Sequence, residues 1–208
     1  MRAHFALSAI ALVCCSAAYA AVLSVPSQYP TIQAAIAAAS NGDEIVVAPG
    51  SYTGTFDTAG KGITLRSSGG AAVTTLTSPL SSPVIRIQSG EGPDTVIEGF
   101  TIDDGGTTSG SGGGAFIQLA DPAFVECVFK FNGFMAGVQG LRGSACHIVG
   151  GDPVFHDCAF LENAPGASGF PGGTVFVNGG TVEFVGSTFE NYNYTSFYVD
   201  WCGGVRTV

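Results

Sequence analysis

One short block occurs four times between residues 97 and 189, and its spacing constrains the fold more than any other feature. Phe124-Val125-Glu126-Cys127-Val128-Phe129 matches Phe155-His156-Asp157-Cys158-Ala159-Phe160. Each is preceded by an Asp-Pro pair, Asp121-Pro122 and Asp152-Pro153, and followed by an asparagine, Asn132 and Asn163. Ile97-Glu98-Gly99-Phe100-Thr101-Ile102 is an earlier copy and Phe184-Val185-Gly186-Ser187-Thr188-Phe189 a later one. The first positions are 97, 124, 155 and 184, so the steps are 27, 31 and 29 residues. A second apolar triplet lies upstream of three of them: Ala115-Phe116-Ile117, Cys146-His147-Ile148 and Val175-Phe176-Val177. Strand-like repeats at such a period mean a solenoid, in which each copy is one coil and neighbouring coils bury a shared core.

Stacking coils at about 4.8 Å pairs each strand with its equivalent, so equal positions form columns. The expected inward columns are Ile97/Phe124/Phe155/Phe184, Ile102/Phe129/Phe160/Phe189 and Phe100/Cys127/Cys158/Ser187. Cys146 is expected inward between Ala115 and Val175, and Cys127 and Cys158 are read as free core thiols. Asn132 and Asn163 are read as a ladder that satisfies turn backbone. The composition then follows. There are 31 glycines among 208 residues, about twice the usual share. They serve the bends between strands. Charged residues make up only 11%, because like charges stacked in a column repel. With 46% hydrophobic residues the chain is not a disordered one. The glycines have no triplet period, which excludes collagen.

The N-terminus reads differently. Arg2 and His4 precede an apolar run from Phe5 to Cys15, and Ala18-Tyr19-Ala20 is a small-x-small cleavage site. Residues 1–20 are therefore expected to be a secretory signal peptide cleaved after Ala20, with residues 21–208 as one exported domain of the extracellular space or cell envelope. No later run is long enough for a transmembrane helix in the mature chain. Seven Lys and Arg against 16 Asp and Glu give a net charge of −9, which excludes nucleic acid as a partner. It also disfavours polyanionic glycans unless a metal bridges the charges.

One helix is expected, capping the solenoid at about residues 31–40. Thr31 is its N-cap, Ile32, Ala35, Ile36 and Ala39 form its apolar face, and Asn41-Gly42 stops it. At the other end Phe197-Tyr198-Val199 is aligned with Val175-Phe176-Val177, and Val205 and Val208 with Phe184 and Ser187. The chain stops there in mid-coil, so that end is read as truncated, or as uncapped and open to self-association.

Val25-Pro-Ser-Gln-Tyr-Pro-Thr-Ile-Gln-Ala-Ala-Ile36, then Gly42-Asp43-Glu44-Ile-Val-Val-Ala-Pro-Gly-Ser-Tyr52 and Lys61-Gly-Ile-Thr-Leu-Arg-Ser67, resemble secreted bacterial proteins of the pectin-lyase-like superfamily. The Pro-x-Phe-x-x-Cys-x-Phe-x-x-Asn copies fit the same group. The resemblance covers nearly all of the mature chain. It implies an all-β fold, a right-handed parallel β-helix solenoid with an N-terminal capping α-helix. The superfamily holds pectate lyases, pectinesterases, polygalacturonases and alginate epimerases, and also surface proteins without assigned activity.

Two main functions remain open at this point, with a structural or adhesive fragment of a larger secreted protein as a third. The first is a non-catalytic surface or extracellular protein presenting a long β face to glycan or another envelope component. Phe116, His147, Phe176 and Tyr198 sit mid-strand between inward neighbours, so they form one outward column. That column is either an exposed sugar-stacking platform or a face covered by the loops Gly133–Gly143 and Pro165–Gly173. The alternative is a carbohydrate-active enzyme, a polysaccharide lyase or related activity. Its candidates are Asp103 and Asp104, as catalytic or calcium-binding carboxylates, with Arg142 as the basic residue in a long loop. Asp103-Asp104-Gly105-Gly106 reads equally as a turn stabilised by its own aspartates. Calcium enters only under the lyase reading, and no other cofactor is called for. Glu126 and Asp157 share a column and are read as outward turn residues. The paired-motif patterns of pectinesterases and polygalacturonases are not found in the sequence.

Overall fold

The computed structural model describes residues 19–79, 82–106, 112–133, 143–163, 173–190, 197–199 and 203–208. The chain opens with β1 (Val22–Val25) and α1 (Ile32–Ala38), then winds through six three-strand coils. The first coil is β2 (Glu44–Val47), β3 (Gly50–Thr53) and β4 (Phe56–Asp57). The second is β5 (Thr64–Ser67), β6 (Thr74–Thr77) and β7 (Ile85–Ile87). The third is β8 (Val96–Glu98), β9 (Thr101–Asp103) and β10 (Ala115–Gln118). The fourth is β11 (Ala123–Val125), β12 (Val128–Lys130) and β13 (Cys146–Val149). The fifth is β14 (Val154–His156), β15 (Ala159–Leu161) and β16 (Val175–Asn178). The sixth is β17 (Gly180–Val185), β18 (Thr188–Glu190) and β19 (Phe197–Val199), and β20 (Gly203–Thr207) begins a seventh.

Every pairing is parallel and joins equivalent strands of successive coils. Three sheets result: sheet 1 in the order β1-β2-β5-β8-β11-β14-β17-β20, sheet 2 as β3-β6-β9-β12-β15-β18, and sheet 3 as β4-β7-β10-β13-β16-β19. This is the expected parallel β-helix. The columns fall as the repeat requires. Phe124 pairs with Ile97 and Phe155, and Phe155 with Phe184; Phe129 pairs with Ile102 and Phe160, and Phe160 with Phe189. The rings stack nearly flat at centroid distances of 5.0 and 5.1 Å in the first ladder and 4.9 and 4.5 Å in the second. Edge-on contacts such as Phe129–Phe155 at 5.9 Å join the two ladders across the core. Each such ring pair is worth about 1 kcal/mol beyond its burial. Cys146 lies inward between Ala115 and Val175, and Cys127, Cys146 and Cys158 are free and buried. The Cys158 thiol is pushed up by its hydrogen bond to the Cys127 thiol and by burial. Such a thiol stays protonated and serves as core filler.

The bends from sheet 1 to sheet 2 are two residues long in five of the six coils. In four of them the first bend residue has left-handed backbone: Gly99 at φ 70°, Glu126 at 50°, Asp157 at 51° and Gly186 at 61°. This conformation, and not a shared ligand, places Glu126 and Asp157 one above the other. Both are exposed, and Asp157 Oδ2 pairs with His156 Nδ1 at 2.8 Å. The bend out of sheet 2 begins the same way at Asp104, Phe131 and Glu162, with φ of 52°, 50° and 50°. Asp104 thus occupies a turn position that a phenylalanine fills in the next coil.

A buried amide ladder closes that corner. Asn132 Oδ1 accepts from Gly105 N at 2.9 Å, and Asn132 Nδ2 donates to Ile102 O at 2.9 Å and to Asn163 Oδ1 at 3.0 Å. Asn163 Oδ1 also accepts from Asn132 N at 3.1 Å, and Asn163 Nδ2 donates to Phe129 O at 2.8 Å. The third corner uses carboxylates. Asp121 Oδ1 accepts from Asp152 N and Asp152 Oδ1 from Thr181 N, each at 2.7 Å.

Helix α1 covers the first coil. Ile32, Ala35 and Ile36 are buried in the core, and Thr31 Oγ1 accepts from Ala34 N at 3.1 Å as the N-cap. The helix ends at Ala38, earlier than the Asn41-Gly42 stop expected from sequence. Lys61 Nζ donates to the carbonyls of Ile36 at 2.6 Å and Ala37 at 2.9 Å, which satisfies the last turn. Gln33 acts as a substitute strand. Its amide donates to Asp57 O at 3.1 Å and accepts from Asp57 N at 3.0 Å, covering the edge of β4. The far end needs one correction. Thr207, not Val205, pairs with Phe184, and Val205 pairs with Val182. A shift of two residues keeps the in–out alternation, so the apolar pattern cannot tell these registers apart.

Replacing Asn132 with alanine removes the side-chain partner of Gly105 N–H and of Ile102 C=O and one of the two donors to Asn163 Oδ1. The expected loss is about 2–4 kcal/mol of unfolding free energy in urea melts, against less than about 0.5 kcal/mol for Thr75→Ala on an outer face.

Candidate functional site

The three corners differ in the length of chain they carry. Connections from sheet 2 to sheet 3 are two residues long in the first coil (54–55), seven in the second (78–84), eleven in the third (104–114), fifteen in the fourth (131–145) and thirteen in the fifth (162–174). The sheet 3 to sheet 1 connections shorten over the same coils, from eight residues in the second (88–95) to four in the third and fourth (119–122, 150–153) and one in the fifth (179). Repeat proteins concentrate insertions on one side, often that of the binding face.

That side borders sheet 3, whose outer column runs Asp57, Arg86, Phe116, His147, Phe176, Tyr198. The four aromatic positions anticipated from sequence therefore do share a column. Asp57, Arg86 and Phe116 are half-exposed, whereas His147 is 7% and Phe176 1% exposed. The exposed row expected from sequence gives way, at these two residues, to the covered alternative. Inward neighbours Cys146, Ile148, Val175 and Val177 belong to the core cluster and Phe176 does not. Within its own column the His147 ring covers it on one side. The loops proposed for that role, like the Tyr198 side chain and Arg142, fall outside the described residues. The rings meet edge-on, Phe116 to His147 at 5.6 Å and His147 to Phe176 at 5.1 Å. Along this column the outer face of sheet 3 is half-exposed as far as Phe116 and buried at His147 and Phe176, while Val149 and Asn178 on the same face stay half-exposed and exposed. A step separates Phe116 from His147.

The cations sharpen this picture. Lys61 is committed to the helix carbonyls, Arg66 to Glu44, and Arg206 lies 3.9 Å from Glu183. Among the described residues, Arg86 and Lys130 are the two cations that neither lie in an ion pair nor donate to a helix end, and Lys130 stands in register with Asp103. Arg86 is on the open part of the sheet 3 column. Lys130 lies on the outer face of sheet 2, with its ammonium 4.5 Å from the Phe131 ring centroid. Sequence reasoning passed over Arg86 because it is not in a long loop. The signal that finds it is its register with Phe116, 30 residues further on.

Asp103 is the outward residue of β9, in register with Lys130. Burial raises its carboxyl above the ordinary range, and the Asp104 charge adds to this; the Asp104 N–H and the Lys130 ammonium pull the other way. Its Oδ1 is buried without a hydrogen-bond partner. Asp103 can therefore carry a proton at a higher pH than an ordinary aspartate. Asp104 is exposed beside it in the left-handed bend. Among the described residues, no three His, Cys, Asp or Glu side chains converge as metal ligands.

No protein-family model and no curated protein matches the chain. Among solved structures, a pectin methylesterase from Aspergillus niger is 19% identical, covering 91% of this chain and 68% of its own, with a TM-score of 0.49. A pectin methylesterase from carrot is 12% identical over 90% of this chain and 82% of its own, with a TM-score of 0.45. The fold assignment rests on the strand registers themselves.

A raised carboxyl has a signed consequence. The folded state holds the Asp103 proton more tightly than the unfolded chain, so this residue supports stability at low pH. That contribution is lost as pH rises through the raised value. Asp103→Asn is expected to gain thermal stability relative to the native chain at pH 7 and to lose that advantage at pH 4. Paired melting curves at the two pH values check it.

Proposed function

We propose that this is an exported, carbohydrate-active β-helix protein that seats a polysaccharide on the open half of sheet 3, against the step at His147. The observation that carries the reading is the change in the outer column, from half-exposed Asp57, Arg86 and Phe116 to buried His147 and Phe176. A half-exposed phenylalanine offers its flat ring to the C–H face of a sugar. The guanidinium of Arg86 brings five N–H donors and lies in no ion pair, and its column neighbour Asp57 brings acceptors. Successive positions along the column are about 4.8 Å apart, so an extended polymer lying along the coil axis meets them in turn. The free cation offsets locally the excess of acid that makes the chain as a whole a poor partner for acidic sugars.

A catalytic reading is favoured by one observation, the proton-holding Asp103 one strand from Lys130. Such a carboxyl can serve as acid or base at a polysaccharide on the same corner.

Affinity gel electrophoresis and calorimetry against a panel of neutral and acidic polysaccharides test the seat. Phe116→Ala and Arg86→Ala are each expected to weaken binding about tenfold, while Thr75→Ala on sheet 2 leaves it unchanged. Unaltered binding in both variants, or no binding to any member of the panel, overturns the proposal. Product absorbance from polygalacturonate and alginate, with calcium, distinguishes the two readings. Turnover that disappears in Asp103→Asn supports the enzyme, and its absence leaves the binding protein.

A further inference from the structure

Asp43 directly precedes β2 and stands where three segments meet. It is 8% exposed, and both of its carboxylate oxygens accept backbone donors: Oδ1 from Ala21 N at 2.8 Å and Oδ2 from Ser40 N at 2.7 Å. Ser40 follows helix α1, and Ala21 directly precedes β1, the edge strand of sheet 1. Glu44 N in turn donates to Ala21 O at 2.8 Å. One carboxylate thus ties the capping helix and the first strand to the first coil. The Ser40 and Ala21 N–H groups hold this carboxyl below the ordinary aspartate range; burial opposes them and the Lys61 charge adds to them. Lys61 itself is committed to the helix carbonyls. Among the described residues, the Asp43 charge lies in no ion pair. The residue it grips is the one that the small-x-small site Ala18-Tyr19-Ala20 places first after cleavage. Tyr19 is 91% exposed and Ala20 is exposed, so parting the chain there removes no core residue.

We infer that export processing completes this site: Ala21, freed by cleavage after Ala20, presents its α-ammonium to the Asp43 carboxylate, and the ion pair locks the N-terminal cap onto the coil. Hydrolysis of the Ala20–Ala21 bond consumes one water. Ala20 leaves with the signal peptide as a carboxylate, and the Ala21 nitrogen changes from an amide with one N–H to an ammonium with three. One N–H keeps the 2.8 Å bond to Oδ1; Ala21 is exposed, so water meets the other two. A hydrogen bond between two charged groups is roughly twice as strong as one between neutral groups. A carboxylate that is mostly shielded from water gains more from it than one on the open surface. The inference rests on the export proposed above and not on the polysaccharide seat. The pairing has a signed pH dependence. A partnered ammonium has its pKa raised, so its contribution is complete below the ordinary α-amino value of about 8 and is lost as pH rises through the raised one. The other charges at this junction, Lys61 near Asp43 and Arg66 on Glu44, are the same before and after cleavage.

Export of the full chain tests it, with the mature N-terminus read by mass spectrometry. A comparison chain carries one glycine inserted between Ala20 and Ala21, and its start at that glycine is confirmed in the same way. The insertion keeps the Ala21 N–H as an amide donor and moves the ammonium one residue away from Asp43. The native mature chain is expected to begin at Ala21 and, at pH 6, to melt about 2–4 °C above the comparison chain. The gap should close at pH 10, and it should be absent at both pH values when Asp43→Asn is introduced into both chains. A native chain that begins elsewhere, equal melting at pH 6, a gap unchanged at pH 10, or a gap that survives Asp43→Asn overturns the inference. The two chains are expected to bind polysaccharide equally, so a failed lock and a failed polysaccharide seat are told apart.

Discussion

The parallel hydrogen-bond ladder between successive coils is the interaction on which the rest of this structure depends. In a solenoid each strand finds its backbone partners only in the equivalent strands above and below. Any two residues one coil apart are therefore held close together, whatever their side chains. Columns that repeat a favourable contact reinforce it at every step. The two phenylalanine ladders do this inside the coil, and the amides of Asn132 and Asn163 do it at a corner. Columns of like charge repeat a repulsion instead. On the outer face of sheet 1 opposite charges meet: Arg66 is in register with Glu98 and pairs diagonally with Glu44, and Arg206 lies beside Glu183.

Corners are where the ladder releases the chain. In five of the six coils the bend from sheet 1 to sheet 2 turns the backbone within two residues, and in four of these the left-handed conformation at its first position does so whether that residue is glycine, glutamate or aspartate. Such a corner has no length to spare for function. The corner into sheet 3 is free to lengthen, because Gly105, Asn132 and Asn163 close the coil beneath it. Chain beyond that amide ladder costs the core nothing. This division makes two kinds of outer surface from one architecture, a stepped and partly covered face on sheet 3 and a flat face on sheet 1.

Much of this was legible in the residues. The steps of 27, 31 and 29 residues fixed which strands stack, and Phe124, Phe155 and Phe184 stack as the alignment requires. Thr31 announced the helix cap. The last coil was aligned two residues out of place, because alternation has a period of two and Val205 and Thr207 satisfy it equally. The helix end was placed too late, because the lysine that closes it lies 25 residues away from Ile36 in the chain.

The candidate site was legible as a set of residues but not as a surface. Alternation alone put Phe116, His147 and Phe176 in one outward column, since strand geometry decides the side on which a residue lies. It could not decide that His147 and Phe176 are buried and Phe116 is not, because burial of an outward residue depends on atoms from outside its own sheet. The same holds for charge. Sequence counts the lysines and arginines, but only the fold commits Lys61 to a helix end and Arg66 to Glu44, leaving Arg86 uncommitted beside Phe116. What the sequence determined by itself was the periodic part of the molecule: coil, core and columns. The tertiary structure decided what is not periodic, namely which outer positions stay open and which charges stay unpaired, because those depend on contacts between segments that no repeat relates.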